Sequence, residues 1–344
     1  MSQIKINWES IIGNYNKVKT ITNENNCELV TITKLFDSNY DFIKRIVGDS
    51  PIWIGDCYKK NFIKIPNYLK KMLLLTKLSD VFEELENCNS IFVSDLKILE
   101  AVSQLKKSKD IEIILSLELG DLRDGINPDN LNNFMKNALK IDNINIRGIG
   151  TNLGCLAGKL PDEKTFNILT DCYYNIKTKL GFEFKKISIG GTVFYDFIEQ
   201  QKIPKEINQI RIGEAIYFGY NMSYKKNIES LRQDTFVFSS EIIEIYDKRV
   251  DNSERGFNAF GEKSNIKKSG IRKRAVLDFG KLIAEKCSIF PIDNNIFIDG
   301  QTHNHTVIDI SDSNKKYNVG DNIDFTINYN SAATIFLSDV VKTV

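Results

Sequence analysis

The chain has 344 residues, 42% of them hydrophobic and 26% charged, which suits a soluble protein with one large domain and a smaller one. Its formal net charge of +1 gives no reason to expect nucleic acid, a membrane surface or an acidic partner. The six cysteines form no CxxC pair, which argues against a structural zinc site and against a disulfide framework. Because the N-terminus lacks an apolar signal core and no run reaches membrane-spanning length, we expect a cytoplasmic protein.

From residue 1 to about 225, short apolar runs alternate with longer amphipathic segments such as Asp95–Lys106, Leu131–Lys140 and Glu163–Leu180. Several runs are apolar on both faces, as parallel strands covered by helices are. The predicted strands are Glu28–Thr33, Pro51–Asp56, Lys71–Thr76, Ser90–Ser94, Ile111–Leu119, Ile144–Asn152, Lys185–Gly191 and Ile207–Gly213. This pattern predicts an α/β fold, a (β/α)8 barrel over residues 1–225, with a doubly wound open sheet as the alternative.

Residues 226–344 have a different pattern, in which helical periodicity is almost absent. Turn sequences separate short β-rich runs. The predicted strands are Phe236–Tyr246, Ile271–Phe279, Asn295–Ile298, Thr306–Ile310 and Ile323–Tyr329. We therefore predict a mostly antiparallel β domain after the barrel, with the linker near Tyr220–Arg232.

Lys34 directly follows the first predicted strand. In a (β/α)8 barrel, reactive groups gather at the C-terminal ends of the strands. An amine at that place would be partly withdrawn from water and able to form an imine. Taken alone, however, the position is more typical of a lysine that simply extends into solvent.

Other polar segments at or within strands allow two interpretations each. Gly190-Gly191-Thr192 could hold a phosphate with backbone N–H groups and a hydroxyl, or form a plain turn. Arg211 lies in an apolar run and needs a partner, which could be a structural ion pair or a ligand. His303 and His305 share one loop without a carboxylate or cysteine at ligand spacing, so we predict no metal site. A basic cluster is interpreted as the solvated face of a strand: Lys267, Lys268, Arg272, Lys273 and Arg274.

Several strings occur together in chain order: Val30–Lys34, Trp53–Asp56, Glu118–Gly125, Gly148–Leu153, Ile189–Gly191, Arg211–Ile216 and Gly270–Ala275. As a set they resemble the alanine/ornithine racemase-like family of fold-type III pyridoxal-phosphate enzymes, nearly end to end. The resemblance implies a barrel followed by a β domain, pyridoxal 5'-phosphate as cofactor, and racemisation of a small-molecule amino acid. It also implies a homodimer in which the β domain of one chain completes the site of the other.

The resemblance further implies a role for each matching residue. Lys34 corresponds to the lysine that binds the cofactor as a Schiff base and moves the α-proton on one face. Arg211 corresponds to the arginine that faces the pyridine nitrogen, keeping it unprotonated and restraining side reactions. Arg123 lies near an arginine that contacts the phenolic oxygen. The other cofactor-binding positions, several of them at the phosphate, are Asn152, Gly190, Gly191, Thr192, Ile212 and Gly213.

Racemisation also needs an acid on the face opposite Lys34. Alanine racemases use a tyrosine followed by glycine, but the counterpart here is Phe260-Gly261, and phenylalanine cannot transfer a proton. Cys155, after the sixth predicted strand, is our first candidate, with an inert buried cysteine as the alternative. The two histidines of the loop Thr302–His305, from the partner chain, come next. Tyr329 ranks last because it is predicted to lie in a regular strand.

Three departures from the family pattern leave open how tightly the cofactor binds and whether the substrate is ornithine or alanine. One is at the end of the chain, where Ser338–Val341 stand in place of a tyrosine that is common near the phosphate. The family usually has Asn-Ser after the glycine of the phosphate loop, where this chain has Thr192, and Ser-Ser-Asp-His in place of Thr302–His305. The alternatives are a pyridoxal-phosphate epimerase or lyase of a biosynthetic pathway, or a non-catalytic pyridoxal-phosphate-binding protein. Proteins of the last kind are single barrels, so the β domain argues against that alternative.

Overall fold

The computed structural model describes residues 2–83, 85, 87–251, 256–258, 260, 261, 263, 269–339 and 341–344. The chain divides into two compact units, one of residues 8–233 and one of residues 1–7 with 234–344. The boundary predicted from the sequence lies between residues 225 and 226, and no sequence pattern indicates that the N-terminus belongs with the second unit. The first strand, β1 (Gln3–Ile6), joins that unit because it pairs antiparallel with Phe236–Ser239.

Residues 8–233 contain a closed barrel of eight parallel strands. Each strand pairs with the next, and the last pairs with the first. The strands are β2 (Glu28–Ile32), β3 (Trp53–Asp56), β4 (Lys70–Leu73), β5 (Ser90–Val93), β6 (Glu112–Ser116), β7 (Ile146–Asn152), β8 (Lys186–Gly190) and β9 (Gln209–Ile212). The barrel interior is packed with Val30, Trp53, Met72, Phe92 and Ile114. The predicted (β/α)8 barrel is confirmed, and the open-sheet alternative is wrong.

Helices precede the barrel and follow its strands. They are α1 (Trp8–Glu24), α2 (Tyr40–Val47), α3 (Leu78–Phe82), α4 (Leu96–Ser103), α5 (Leu131–Ala138), α6 (Glu163–Leu180), α7 (Tyr195–Glu199) and α8 (Glu214–Phe218). The ends of α6 agree with the prediction because both are capped: the Asp162 carboxylate accepts the Thr165 N–H at 2.8 Å, and Gly181 adopts a left-handed φ of 64°. A small hairpin follows α8, made of β10 (Tyr220–Asn221) and β11 (Lys226–Asn227).

The second unit is an antiparallel sheet that includes β1 and one parallel pair at its edge. Its other elements are β12 (Phe236–Val250), β13 (Gly270–Leu277), β14 (Ile289–Pro291), β15 (Phe297–Gln301), β16 (Thr306–Asp309), β17 (Asn322–Ile327), α9 (Tyr329–Phe336) and β18 (Lys342–Thr343). The aromatic rings of Phe238, Phe279 and Phe325 pack together in its core. The predicted β domain is confirmed, but Tyr329 begins α9 and does not lie in a strand. Among the described helices, none combines the length and apolarity that crossing a membrane requires.

Candidate active site

Lys34 lies just beyond the C-terminal end of β2, at the start of a 3-10 turn that spans Lys34–Phe36. Its side chain is exposed, and its amine makes no hydrogen bond or ion pair with any described residue. The predicted partial withdrawal of this amine from water is therefore wrong, because the turn directs the side chain to solvent. Exposure leaves the amine free to react with an aldehyde.

The backbone that carries Lys34 is held by a buried polar network. The Asp56 carboxylate at the end of β3 is fully buried and accepts hydrogen bonds from the Ser38 hydroxyl at 2.7 Å and the Asn61 amide at 3.1 Å. Its other oxygen accepts the Tyr58 N–H at 3.0 Å. The Ser38 hydroxyl also lies 2.6 Å from the hydroxyl of Thr33. These contacts join Thr33, which precedes Lys34, to Ser38, which follows it, and tie both to the end of β3.

The Arg211 guanidinium is buried inside the barrel, 4% of the residue being exposed. It donates to the Ser188 hydroxyl at 2.6 Å and to the Thr151 carbonyl at 2.8 Å. Its central carbon lies 4.3 Å from the centroid of the Phe92 ring. A Cβ at Gly190 would come within 2.3 Å of Nη2, so a glycine is needed there to make room for the guanidinium.

Arg211 contacts no carboxylate among the described residues, so its charge lacks a direct counterion. A chain of hydrogen bonds instead leads away from it: the Ser188 hydroxyl donates to the Gln209 side-chain carbonyl at 2.9 Å, and the Gln209 amide donates to the Glu28 carboxylate at 2.9 Å. Burial lowers the pKa of Arg211, and the charge of Arg123 lowers it further. A buried cation without a contacting anion is a place where a ligand acceptor would be favourable.

Two glycine-containing turns lie side by side after β8 and β9. Gly191 has a φ of 117°, and a Cβ there would lie 2.6 Å from the Leu153 carbonyl oxygen. The Thr192 hydroxyl accepts the Ala215 N–H at 3.1 Å and thereby joins the two turns. Ile212 ends β9 and Gly213 precedes α8, so the predicted phosphate-binding positions are neighbours.

Arg123 and Asp124 lie in the loop that follows β6. The Arg123 Nε lies 2.5 Å from the Asp124 carboxylate, which also accepts the Ser116 hydroxyl at 3.1 Å. Burial opposes the charge of Arg123, but the hydrogen bond and the negative charge of Asp124 outweigh it and raise the pKa of Arg123. Arg123 is thus a fixed cation at this end of the barrel.

Cys155 is exposed in the loop after β7, and the side-chain amide of Asn152 donates to its sulfur at 3.0 Å. The neighbouring loop holds it in place, since the buried Asp121 carboxylate accepts the N–H groups of Cys155 and Leu156 at 2.9 and 3.0 Å. The alternative of a buried cysteine is therefore wrong for Cys155, which is exposed.

These residues lie near enough at one end of the barrel for their charges to affect one another. Cys57 interacts with Lys34, Arg123 and Cys155, and Arg211 interacts with Arg123 and Cys155. Burial is the main cause that raises the pKa of the Cys57 thiol. Cys57 is not among the site residues predicted from the sequence, although its place directly after the strand-ending Asp56 could have indicated it.

The histidine loop belongs to the β domain, where it joins β15 and β16. His303 and His305 are exposed, and the Thr302 hydroxyl accepts the His305 N–H at 3.0 Å. The His303 ring packs edge-on against Phe260, with the ring centroids 4.8 Å apart. An imidazole therefore lies beside Phe260, the residue predicted from the sequence resemblance to take the place of the tyrosine. That this loop reaches the Lys34 of a partner chain stays a prediction.

The interpretation of the basic cluster as a solvated face is wrong for two of its members. Arg272 forms a two-point ion pair with Asp309 at 2.7 and 3.1 Å, and Arg274 lies 2.8 Å from Asp299. Both arginine side chains are largely buried, because they alternate with exposed Lys273 along β13. Residues 267 and 268 lie outside the described residues.

Pyridoxal phosphate, which the sequence resemblance implies, fits the residues at this end of the barrel. An amine without a partner among the described residues suits an aldehyde, and the buried guanidinium of Arg211 suits a neutral ring nitrogen. Turns that contain Gly191 and Gly213 and open onto short helices suit a phosphate. The groups that the cofactor requires are thus present in chemically appropriate places.

Residues 60–221 match the family model described as alanine racemase, N-terminal domain. The chain is 29% identical over 346 residues to an ornithine racemase of Acetoanaerobium sticklandii, with 99% of this chain and 98% of that protein covered. It is 30% identical over 352 residues to a lysine racemase of Thermotoga maritima, with the same coverage. These similarities span both units of the chain.

Solved structures show the same architecture. An alanine racemase from Bartonella henselae with covalently bound pyridoxal phosphate matches with a TM-score of 0.75 at 13% identity, covering 100% of this chain and 99% of that one. A D-threonine aldolase from Filomicrobium marinum matches with a TM-score of 0.73 at 12% identity, covering 97% and 89%. The shared fold therefore accommodates more than one reaction.

Proposed function

The chain belongs to the alanine/ornithine racemase-like family of pyridoxal-phosphate-dependent amino-acid racemases, and on that premise we propose that it interconverts the enantiomers of a basic amino acid, ornithine or lysine. The choice of substrate rests on the names of the two relatives similar to it over their full length. The observation that supports this site best is the buried Arg211, which has no contacting carboxylate among the described residues and shares the barrel end with Lys34.

The proposed roles follow from the chemistry of the side chains. When bound, the cofactor draws electrons from the α-carbon of an amino acid attached to it. Lys34 would hold the cofactor covalently and move the α-proton on one face. Arg211 would face the ring nitrogen, and Arg123 with Asn152 would orient the ring. The turns at Gly190–Thr192 and at Ile212 and Gly213 would bind the phosphate.

For the second face of the reaction we propose Cys155, because it lies at the same end of the barrel as Lys34 and interacts with Arg123 and Arg211. Replacing Cys155 with serine should slow proton removal from one enantiomer far more than from the other. Deuterium exchange at the α-carbon, measured separately for each enantiomer, tests this. Equal slowing in both directions would transfer the role to His303 or His305 of the loop in the partner chain.

The reaction is tested by incubating the cofactor-loaded protein with single L-amino acids in deuterated water. Ornithine or lysine should lose optical rotation while gaining deuterium at the α-carbon, and alanine should react more slowly. Cleavage of a β-hydroxy amino acid to glycine and an aldehyde, without racemisation, would instead place the protein with the lyases that share its fold.

The assignment of Lys34 has a separate test. Sodium borohydride should attach the cofactor irreversibly to the peptide that contains Lys34, and the attachment should disappear in Lys34→Ala. Mass mapping that finds the cofactor on another lysine would overturn the assignment.

We also propose that the enzyme works in the cytoplasm as a homodimer, so that the loop Thr302–His305 can complete the site of the other subunit. Sedimentation should then give twice the 39.4 kDa of one chain. In mixtures of an inactive Lys34 variant with a variant inactivated by changes in the loop Thr302–His305, activity should partly return, because one site of each mixed dimer is intact.

A further inference from the structure

The carboxylate of Asp56 has an environment that calls for an explanation. It is fully buried, yet no described lysine or arginine contacts it, and its hydrogen bonds come from neutral donors. Burying an unpaired carboxylate costs free energy unless its oxygens are well satisfied. Because all three of its donors lie in the loops after β2 and β3, Asp56 serves to join those two loops.

The turn that Asp56 holds is strained. Asp37 and Ser38 have φ values of 49° and 50°, in the left-handed region that favours glycine. Two consecutive strained residues persist only where surrounding contacts determine the backbone, and such sites are frequently functional. The contacts here are the Ser38 hydroxyl with Asp56 at 2.7 Å and with Thr33 at 2.6 Å.

Lys34 lies between Thr33 and Ser38, whose hydroxyls contact each other and close the turn. Its amine has no hydrogen bond or ion pair with a described residue, so the backbone of the turn determines where the side chain starts and in which direction it leaves. A lysine that must meet both a fixed ring and a substrate proton requires such placement to within a fraction of an ångström. From this we infer that Ser38 and Asp56 are positioning residues for the reaction, which set the direction in which Lys34 leaves the barrel. The inference rests on the proposed role of Lys34.

A glycine substitution separates positioning from stability. Ser38→Gly removes the hydroxyl and its two hydrogen bonds, to Asp56 and to Thr33, while relieving the strain at a φ of 50°. Because the relief offsets part of the loss, the Tm should fall by only a few degrees. Asp37→Gly is the matched control. It relieves the same strain one residue earlier and also removes one hydrogen bond, from the Asn61 amide at 3.2 Å, but leaves the bond between Ser38 and Asp56 intact.

Ser38→Gly should lower kcat about 10-fold with KM within about twofold, and should slow covalent attachment of added pyridoxal phosphate by a similar factor, because Lys34 is less often aligned. Asp37→Gly should stay within about twofold of the wild type in both measurements. Asp56→Asn changes the other partner of the hydrogen bond between Ser38 and Asp56, the acceptor, and should reproduce the loss in kcat.

Borohydride mapping on each variant distinguishes this inference from the proposed function. With the cofactor on Lys34 throughout, a normal kcat in Ser38→Gly or in Asp56→Asn overturns the positioning role alone, as does an equal loss in Asp37→Gly. A cofactor found on another lysine of the wild type overturns both the proposed site and this inference.

Discussion

At the scale of single residues, the charge of Arg211 is the property on which the site depends most. Arg211→Glu would place a buried anion where the ring nitrogen needs a donor, and kcat/KM should fall at least about 100-fold, corresponding to about 3 kcal/mol of lost transition-state stabilisation. Arg147→Glu is the control. This half-exposed arginine only approaches Glu112 at 3.8 Å, so kcat/KM should change less than about twofold. Similar losses in both variants would mean that Arg211 is merely structural.

Glu214, in the first turn of α8, makes stability depend on pH. Burial raises its pKa to about 7, and the Met222 N–H, 3.3 Å from its carboxylate, offsets part of this rise. The neutral form is favoured by folding, so its stabilisation is complete below about pH 4.5 and is lost as the pH rises through 7. Glutamine stays neutral at every pH, so the stability advantage of Glu214→Gln over the wild type should grow with pH. Between pH 5 and pH 8 the difference in unfolding free energy should increase by about 2–3 kcal/mol. Urea denaturation of the cofactor-free proteins measures this, and a difference independent of pH would contradict it.

The individual site residues differed in how far the sequence could predict them. Lys34 and Arg211 stand out because each is a charge beside or within an apolar strand, which is a local signal. The strand-ending position of Asp56 was visible in the sequence, but Cys57 and the hydrogen bonds of Asp56 were not predicted. The hydrogen bonds of Asp56 join the loops after two neighbouring strands, and such contacts appear only when the barrel has closed.

At the scale of elements, α8 depends on a residue from another turn. The Thr192 hydroxyl accepts the Ala215 N–H, one of the donors that a helix leaves unpaired in its first turn. Thr192→Val should weaken pyridoxal-phosphate binding about 5- to 10-fold, since a cap contributes about 1 kcal/mol and also orients the phosphate turn. Thr192→Ser should retain the affinity because it keeps the hydroxyl. Fluorescence titration with the cofactor distinguishes the two, and an unaffected Thr192→Val would contradict the prediction.

The elements that sequence patterns predicted are those with a pattern of their own. Barrel strands buried on both faces produce continuous apolar runs, and α6 carries a cap at each end. By contrast, β1, β14 and β18 are four residues long or shorter, and α9 follows β17 after a single residue. The short strands form only through long-range pairing within the second unit, which no local window of the sequence contains.

At the scale of the whole molecule, the β domain needs the first residues of the chain. The buried Ile4 and the exposed Lys5 alternate on β1, which pairs with both β12 and β18. Ile4→Asp should lower the stability of this unit by about 3 kcal/mol or more, because it buries an unpaired charge, whereas Lys5→Asp should change it by less than about 0.5 kcal/mol. Hydrogen exchange should accelerate over residues 236–239 in the first variant alone. Faster exchange confined to the barrel would contradict the division of the chain.

The hydrogen bonds that lead from Arg211 through Ser188 and Gln209 to Glu28 all run in one direction. With a cation at one end and an anion at the other, the intervening hydroxyl and amide hydrogens have a single favourable arrangement. The barrel interior therefore has a built-in electrical polarity, and its dipoles are ordered before any ligand arrives. A substitution at Glu28, on the strand that leads to Lys34, would remove the acceptor that fixes the orientation of the Gln209 side-chain amide. The amide could then turn over and exchange its oxygen and nitrogen. The electrostatic environment of a cofactor ring beside Arg211 thus depends on Glu28, a residue that the ring need not contact.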